Sequence, residues 1–291
     1  MDIRAILMGL VFAFIWSSAF TSARIIVVDA SPLFSLALRF LVSGAIGVAI
    51  ARWMGQSWHL TRRQWYATIL FGICQNALYL GLNFVGMQTV EAGLAAIIAS
   101  TMPLLVALAS WILLGEKLRL LGILGLLAGV AGVWLIMSSR ISAGVDMHGV
   151  MLCGFGVLAL TFATLAVRGA TSGGNFMMIV GLQMFVGSAV LFAAAFAFED
   201  IRLNPTTPFL LAFAYTTLMP GLLATLIWFH LLDRIGPTRA ATFHFLNPVF
   251  GVSVAALLLG ESLGARDVLG VLVVTAGIFA VQLSRQMPRR S

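Results

Sequence analysis

Charged residues are scarce in this sequence. Only 9% of its 291 residues are Asp, Glu, Lys or Arg, whereas 61% are hydrophobic. A soluble domain carries about 25% charged residues, so this chain has too few to cover a surface that faces water. Basic residues exceed acidic ones and give a formal net charge of +7. Because they lie between apolar runs, they indicate membrane topology and not the binding of nucleic acid.

Cysteine and the sequence motifs of enzymes are also rare or missing. Cys74 and Cys153 both lie in apolar runs, which excludes a disulfide framework and a zinc-binding spacing. The sequence contains no Gly-x-x-x-x-Gly-Lys-Ser/Thr loop, no His-Glu-x-x-His and no Gly-x-Ser-x-Gly. Nothing therefore indicates nucleotide hydrolysis or a known catalytic motif. We expect no catalytic residue, no metal and no cofactor.

Long apolar runs fill the rest of the chain. A helix needs about 20 apolar residues to cross a bilayer, and ten runs approach or exceed this length. The sequence predicts an all-α integral membrane protein in which the chain crosses the bilayer ten times. The expected spans are Arg4–Ile26, Pro32–Trp53, Gln64–Val85, Glu91–Leu114, Leu120–Met137, Gly149–Val167, Asn175–Phe198, Pro208–Leu231, Pro237–Leu259 and Arg266–Leu283.

The distribution of Lys and Arg predicts the orientation of these spans. Basic residues are enriched in short cytoplasmic loops. With the N-terminus inside, twelve lie in inside segments and four outside, so we expect cytoplasmic N- and C-termini in a bacterial inner membrane. The inside residues are Arg4, Arg52, Arg62, Arg63, Lys117, Arg119, Arg168, Arg234, Arg239, Arg285, Arg289 and Arg290, and the outside ones are Arg24, Arg140, Arg202 and Arg266.

An internal repeat is the most specific feature of the sequence. A shift of 145 residues places Pro103 on Pro248 and the Leu-Leu-Gly-Glu motif at 113–116 on the same motif at 258–261. Glycines also coincide, since Gly125 falls on Gly270 and Gly132 on Gly277. The regular spacing of these glycines predicts a close contact between helices.

The repeat divides the chain into residues 1–145 and residues 146–291, with five spans in each half. Because five is odd, the second half must enter the membrane in the opposite direction. Inverted repeats are typical of transporters that expose a midplane site first to one side and then to the other. The sequence thus predicts two inverted five-helix repeats around a central cavity.

The same residues give the chain a resemblance to a known family. Trp16-Ser17-Ser18 in the first span, a proline followed by Leu-Gly-Glu, and a glycine-rich helix after it all resemble the EamA-type drug/metabolite transporter family. The last two features occur twice, from Pro103 to Gly132 and from Pro248 to Gly277. The resemblance implies ten helices in two repeats, a central cavity and the export of small metabolites. Within the family the chain looks most like exporters of aromatic amino acids.

Side chains of the first and sixth spans are candidates to line this cavity. Trp16 and Ser17 lie in the first span. Thr161, which takes the place of Trp16 in the second repeat, lies in the sixth. The two repeats should therefore line the cavity differently. Trp228, late in the eighth span, is either a residue that stacks on substrate or an anchor at the membrane surface.

Polar residues of the third span form a second candidate group. Asn76, Tyr79 and Asn83 are spaced as i, i+3 and i+7, which places them on one face of an α-helix. Polar side chains within spans are rare and tend to face the protein interior. We expect this face to bind substrate, and the alternative is that it forms hydrogen bonds between helices.

A third candidate group lies at kinks in the ninth and eighth spans. His244 and Asn247 come just before Pro248, and a proline frees a backbone carbonyl where transporters often place binding groups. Histidine can also couple transport to protons, although a His bonded to a neighbour is the alternative. Tyr215 lies near a further proline. The expected hinges are Pro103, Pro220 and Pro248, each of which could instead be a static bend.

Two further groups of charged residues have competing interpretations. Arg39 is the one basic residue clearly within a span, and it either meets a substrate carboxylate or pairs with Gln183 or a helix end. Glu116 and Glu261 occupy equivalent places in the two repeats. We expect each to cap the helix that follows it, because a helix N-terminus favours a carboxylate.

The resulting prediction is a secondary transporter that exports small metabolites, aromatic and other neutral amino acids most of all, by alternating access. Alternatives are a drug exporter, a carrier of sugar nucleotides with the same fold, a channel, or an enzyme embedded in the membrane. The expected partners are the small-molecule substrate and the lipid bilayer. The favoured state is a monomer, with an oligomer as the alternative, and the sequence leaves open whether protons drive transport.

Overall fold

The computed structural model describes residues 3–116, 118–167 and 173–286. In these residues ten helices are long and apolar enough to span a membrane, which confirms the predicted all-α membrane fold. Lys117, Arg168, Arg289 and Arg290 of the topology count lie outside the described residues. The helices are α1 Ile3–Asp29, α2 Pro32–Trp53, α3 Arg62–Gly86, α4 Ala92–Leu114, α5 Leu120–Ser142, α6 Met147–Ala166, α7 Phe176–Phe198, α8 Thr207–Ile235, α9 Arg239–Leu259 and α10 Ala265–Gln286.

The helices pack into two compact units. The first unit contains residues 1–21, 90–150 and 224–291, and the second contains residues 22–89 and 151–223. Each unit therefore takes helices from both halves of the sequence. The division into repeats at residue 145 stays a prediction, as does the central cavity.

The first unit is built on a close contact between α5 and α10. A Cβ atom on Gly277 would lie 2.7 Å from the carbonyl oxygen of Gly125, and one on Gly132 would lie 2.9 Å from the carbonyl oxygen of Gly270. Only glycine fits at such distances, so the predicted glycine contact is confirmed. The two contacts run in opposite order along the two helices, and α5 and α10 are consequently antiparallel. An inverted repeat would produce this arrangement.

Apolar side chains from α4 and the segment before it, and from α5, α9 and α10, fill the space around this contact. They are Val90, Leu94, Ile97, Leu104, Ala107, Ile136, Val252, Val271, Val274, Ile278 and Val281, all of them buried.

The second unit contains an equivalent antiparallel pair, α2 and α7. The Ser188 hydroxyl donates a hydrogen bond to the carbonyl oxygen of Ala37 at 2.8 Å. Seven residues further along α2, a Cβ atom on Gly44 would lie 3.1 Å from the carbonyl oxygen of Gly181. The contacting residue on α7 is seven positions earlier in the sequence, so these helices also run in opposite directions.

Side chains from distant loops cap the N-termini of this pair. The carboxylate of Glu199, just after α7, accepts hydrogen bonds from the backbone N–H groups of Leu33 and Phe34 at 2.8 and 3.0 Å. The side chain of Gln56, just after α2, accepts one from the N–H of Met178 at 2.9 Å. Each helix of the pair is thus capped by a side chain from the segment that follows the other helix, which satisfies donors that a helix start leaves unpaired.

A carboxylate also caps α4 in the first unit. Glu261 accepts hydrogen bonds from the N–H groups of Ala92 and Gly93 at 2.7 and 2.9 Å. The expectation that Glu261 caps the next helix, α10, is therefore wrong, because its carboxylate reaches a helix of the other half of the sequence. Whether Glu116 caps the following helix stays a prediction. Burial raises the pKa of Glu261, and its two hydrogen bonds to N–H groups act in the opposite direction.

An ion-pair network lies close to this cap. Arg140, at the end of α5, forms ion pairs with Glu91 and, at 3.2 Å, with Asp267. Glu91 precedes α4 and Asp267 lies in the first turn of α10. The network therefore ties together the ends of three helices of the first unit.

Candidate functional site

Helix α9 changes its winding just before Pro248. The segment Pro237–Ala241, which overlaps the start of α9, is α-helical, the segment Thr242–Leu246 is a 3₁₀ helix, and the α-helix resumes at Asn247. Stretches of 3₁₀ helix within a longer helix often mark functional hinges. His244 lies in the 3₁₀ segment and Asn247 at the resumption, so the sequence-predicted pair occupies the irregular part of α9.

An aromatic cluster surrounds His244 in the first unit. We use this name for Phe12 and Trp16 of α1, Trp228 of α8 and His244. Phe12 stacks on Trp228 with 4.7 Å between ring centroids and meets Trp16 at 5.6 Å. The His244 ring lies 5.3 Å from Phe12, 5.1 Å from Trp228 and 6.5 Å from Trp16. Such tilted and edge-on contacts are the geometries that aromatic rings prefer.

Asn247 adds a polar group to this cluster. Its Nδ2 lies 3.0 Å from Nδ1 of His244, so if the amide donates, the imidazole proton is on Nε2. The Oδ1 atom of Asn247 is buried and has no hydrogen-bond partner within the described parts of the chain. A buried acceptor without a donor costs free energy. The amide of Asn247 can therefore accept a hydrogen bond from a substrate.

Two hydroxyl groups of α1 are also buried without a hydrogen-bond partner in the described residues. Ser17 and Thr21 are each 1% exposed, and their hydroxyl oxygens have no partner among the residues that the structure describes. Both belong to the first unit, and Ser17 lies against Gly251 of α9. The sequence-predicted residues Trp16, Ser17, His244 and Asn247 thus come from α1 and α9 of one unit.

Sequence reasoning missed Phe12 and left Trp228 undecided. Phe12 lies one helical turn before Trp16, so the shared face of α1 was a signal available in the sequence. Trp228 is half-buried and in contact with Phe12 and His244, and these contacts favour its assignment to the cluster over an anchor at the membrane surface. Nothing in the local sequence of α8 distinguishes the two possibilities.

The candidate residues of α3 lie in the second unit and do not share one face. Helix α3 widens into a π-helical turn over Gly72–Tyr79, which breaks the 3.6-residue spacing that the prediction assumed. The Asn76 amide donates to the carbonyl oxygen of Gln183 on α7 at 2.9 Å. A Cβ atom on Gly187 would lie 2.4 Å from the Cβ of Asn76. Asn76 therefore joins α3 to α7, as the hydrogen-bonding alternative expected.

Tyr79 and Asn83 instead lie against α6. The Asn83 amide donates to the carbonyl oxygen of Tyr79 at 2.8 Å. A Cβ atom on Gly156 would be 3.0 Å from both Nδ2 of Asn83 and that carbonyl. Oδ1 of Asn83 is buried with no partner in the described sequence. On α6, the Thr161 hydroxyl donates to the carbonyl of Val157 in its own helix at 2.8 Å, so it serves the backbone of α6.

Helix α8 also contains an irregular turn, and Arg39 of α2 contacts α8 just before this turn. A π-helical turn covers Met219–Leu223 and contains Pro220. Nε of Arg39 donates to the carbonyl oxygen of Thr216 at 3.2 Å. Of the alternatives for Arg39, the structure shows a contact with a break in a helix and, within the described residues, no hydrogen bond to Gln183; a contact with a substrate carboxylate stays a prediction. Tyr215 precedes Thr216 in the same helix.

All three predicted hinge prolines lie at irregular positions. Pro103 follows Thr101, where α4 divides into Ala92–Ser100 and Met102–Leu114. Pro220 lies in the π-helical turn of α8, and Pro248 is the second residue of the last segment of α9. These breaks are compatible with hinges, and motion at them stays a prediction.

Comparison with known proteins identifies a matching family model and similar transporters. The model of the EamA-like transporter family matches residues 3–138 and again residues 147–283. The uncharacterized transporter YvbV of Bacillus subtilis is 25% identical, covering 86% of this chain and 82% of that protein. The uncharacterized inner membrane transporter YedA of Escherichia coli K12 is 27% identical, with 97% and 92% coverage.

A solved crystal structure shows the same fold. It superimposes with a TM-score of 0.70 at 20% sequence identity, covering 98% of this chain and 99% of the other. The relatives named above do not single out exporters of aromatic amino acids. Since the family model accounts for both halves of the sequence and the helices have the expected number and length, this protein is a multi-pass membrane transporter and belongs to the EamA-like transporter family.

Proposed function

We propose that this transporter exports small metabolites, aromatic and other neutral amino acids most of all, by alternating access. The aromatic cluster is the observation that carries the proposal. Its three aromatic side chains and His244 offer ring faces and edges, and Asn247 offers an acceptor that has no partner among the described residues. Ligand sites commonly combine apolar and aromatic walls with a few polar groups that orient the ligand.

The transport cycle is part of the same proposal. In an alternating-access exporter, breaks in helices let one group of helices move against another around the site. The irregular segments of α4, α8 and α9 are suited to such a movement. Cytoplasmic termini, a bacterial inner membrane and a monomer complete the proposed working state.

Efflux from proteoliposomes tests the substrate class. Vesicles containing the purified protein would be loaded with labelled phenylalanine, tryptophan or threonine, and release would be compared with protein-free vesicles. Replacing Trp228 with Ala removes the ring that stacks on Phe12. Because an aromatic contact contributes about 0.5–1.5 kcal/mol, we expect the KM for tryptophan to rise about 2-fold to 12-fold, with a smaller rise for threonine.

Trp134→Ala is the matched control, because Trp134 belongs to α5 of the same unit and is 69% exposed. It should leave the KM unchanged. An equal change in both variants would contradict the assignment of the cluster as the binding site. No release of any amino acid above the protein-free vesicles would exclude the proposed substrates and leave the membership of the family intact.

Export of lipophilic cations is the second candidate function. The indole ring of Trp228 and the ring of Phe12 also attract cations, because aromatic faces carry partial negative charge. Loading the same vesicles with tetraphenylphosphonium distinguishes the two candidates. Release of this cation without release of amino acids would favour drug export.

A further inference from the structure

The second unit contains a buried polar cluster that the proposed site does not use. It consists of Ser22, Arg39, Ser43, Thr216 and Thr217, which we call the Arg39 cluster. Each of these residues is at most 6% exposed. They come from the end of α1, the middle of α2 and the part of α8 that precedes its π-helical turn. Ionisable residues within a span are costly and often mark a path for a substrate or ion.

Pro220 explains one contact of Arg39. Proline has no N–H, so the carbonyl of Thr216, four residues earlier, lacks the donor that an α-helix would supply. Nε of Arg39 donates to this carbonyl at 3.2 Å. Ser43 supports the neighbouring turn, since its hydroxyl donates to the carbonyl oxygen of Thr217 at 3.4 Å. A structural role for Arg39 is therefore evident, but it occupies one N–H group of five.

The guanidinium of Arg39 lies over the Phe40 ring at 4.9 Å from its centroid, but its charge has no acidic partner in the described residues. Both ion pairs in the described part of the chain are made by Arg140. Within residues 3–116, 118–167 and 173–286, the four Nη hydrogens of Arg39 have no acceptor. A Cβ atom on Gly221 would lie 3.3 Å from Oγ of Ser43 and 3.4 Å from Nη2 of Arg39, so Nη2 lies beside the backbone of the π-helical turn, where a side chain would crowd it.

We infer that the Arg39 cluster binds the carboxylate group of the transported molecule. A guanidinium offers two parallel N–H groups that match the two oxygens of a carboxylate. The negative charge would compensate a cation that the protein buries without an acidic partner. The inference rests on the proposed function, because it names the chemical group of the proposed substrates that the Arg39 cluster recognises. Its prediction is that substrates must carry a carboxylate.

The decisive comparison separates the structural contact from carboxylate binding. Arg39→Gln removes the charge but also disturbs Thr216. Pro220→Ala restores an N–H four residues after Thr216, so the double variant Arg39→Gln/Pro220→Ala supplies this carbonyl with a donor again. Arg52→Gln is the matched control, because Arg52 is an exposed arginine of the same helix.

Binding would be measured by calorimetry on the purified full-length protein, with a melting curve for each variant. The ligands are phenylalanine, phenylacetate, which keeps only the carboxylate, and phenylalaninamide, which lacks it. We expect wild type, Pro220→Ala and Arg52→Gln to prefer both carboxylates over the amide by at least about 10-fold, the effect of one charge-assisted hydrogen bond. The double variant should melt like Pro220→Ala and lose this preference.

Each outcome decides between the two proposals. If the double variant keeps the preference, or wild type shows none, the inference is wrong and the role of Arg39 is structural. If phenylacetate binding depends on Arg39 while vesicles release no amino acid, the carboxylate subsite stands and the proposed substrates fail. If phenylalanine is released and its binding does not depend on Arg39, the proposed substrates stand and the inference fails.

Discussion

Replacing Gly277 with Ala should destabilise the packing of α10 against α5. The new Cβ atom would lie 2.7 Å from the carbonyl oxygen of Gly125 and 2.7 Å from the backbone nitrogen of Gly129. Both atoms belong to the backbone of α5, so no side chain can rotate to make room. The two helices must separate, and every side chain packed around their contact then loses part of its van der Waals attraction.

The magnitude follows from a comparison with a second glycine. Overpacking a well-packed interior costs about 1–3 kcal/mol, but Ala also favours a helix by about 0.8–1.0 kcal/mol over Gly. Gly154→Ala in α6 isolates this second effect, because a Cβ atom there meets nothing within 4 Å. We expect Gly154→Ala to be at least as stable as wild type and Gly277→Ala to be about 1–3 kcal/mol less stable than Gly154→Ala.

The free energy of unfolding would be obtained in mixed micelles by titration with sodium dodecyl sulfate, followed by tryptophan fluorescence. Equal stability of the two alanine variants would refute the reasoning, because it would show that α5 and α10 accommodate a methyl group without loss. A loss in Gly154→Ala as large as that in Gly277→Ala would refute it as well.

Two further predictions concern the caps of helix N-termini. Because the pKa of Glu261 is raised in the folded protein, the folded state binds a proton more readily than the unfolded chain. The contribution of Glu261 to stability is therefore full below about pH 4.5 and is lost as the pH rises through the raised pKa. Melting temperatures measured across this window should fall with pH more steeply for wild type than for Glu261→Gln. Glu199→Ala, which removes the acceptor for the N–H groups of Leu33 and Phe34, should lower the free energy of unfolding by about 0.5–2 kcal/mol, measured by the same titration, and an unchanged value would show that another acceptor caps α2.

The helices were predictable because a single local property determines them. An apolar run of sufficient length must form a helix in lipid, since no other open structure satisfies its backbone hydrogen bonds. The predicted span Pro32–Trp53 has the same bounds in the structure. The irregular turn in α3 was not predictable in this way. Its widened winding accompanies a close approach to Gln183 and Gly187 of α7, and such tertiary contacts are invisible in the local sequence.

The candidate site shows the same limit. The contact of Phe12 with Trp16 follows from a spacing of four residues in one helix. The contacts of Phe12 with Trp228 and of Trp16 with His244 join residues more than 200 positions apart, and no local pattern specifies them. Glu261 is the clearest case, because proximity in sequence suggested α10 whereas its carboxylate accepts hydrogen bonds from Ala92 and Gly93 of α4.

The internal repeat extends the prediction for Gly277→Ala to Gly132, the equivalent position in the first half of the sequence. A shift of 145 residues converts the contacts of Gly132 into those of Gly277: the carbonyl of Gly270 corresponds to that of Gly125, and the backbone nitrogen of Val274 to that of Gly129. In the structure a Cβ atom on Gly132 would lie 2.9 Å from that carbonyl and 2.8 Å from that nitrogen, nearly the distances found at Gly277. Because two independent sets of backbone atoms meet in the same way, Gly132→Ala should lose the same stability as Gly277→Ala. A large difference between the two variants would mean that the shared sequence pattern does not reflect shared packing.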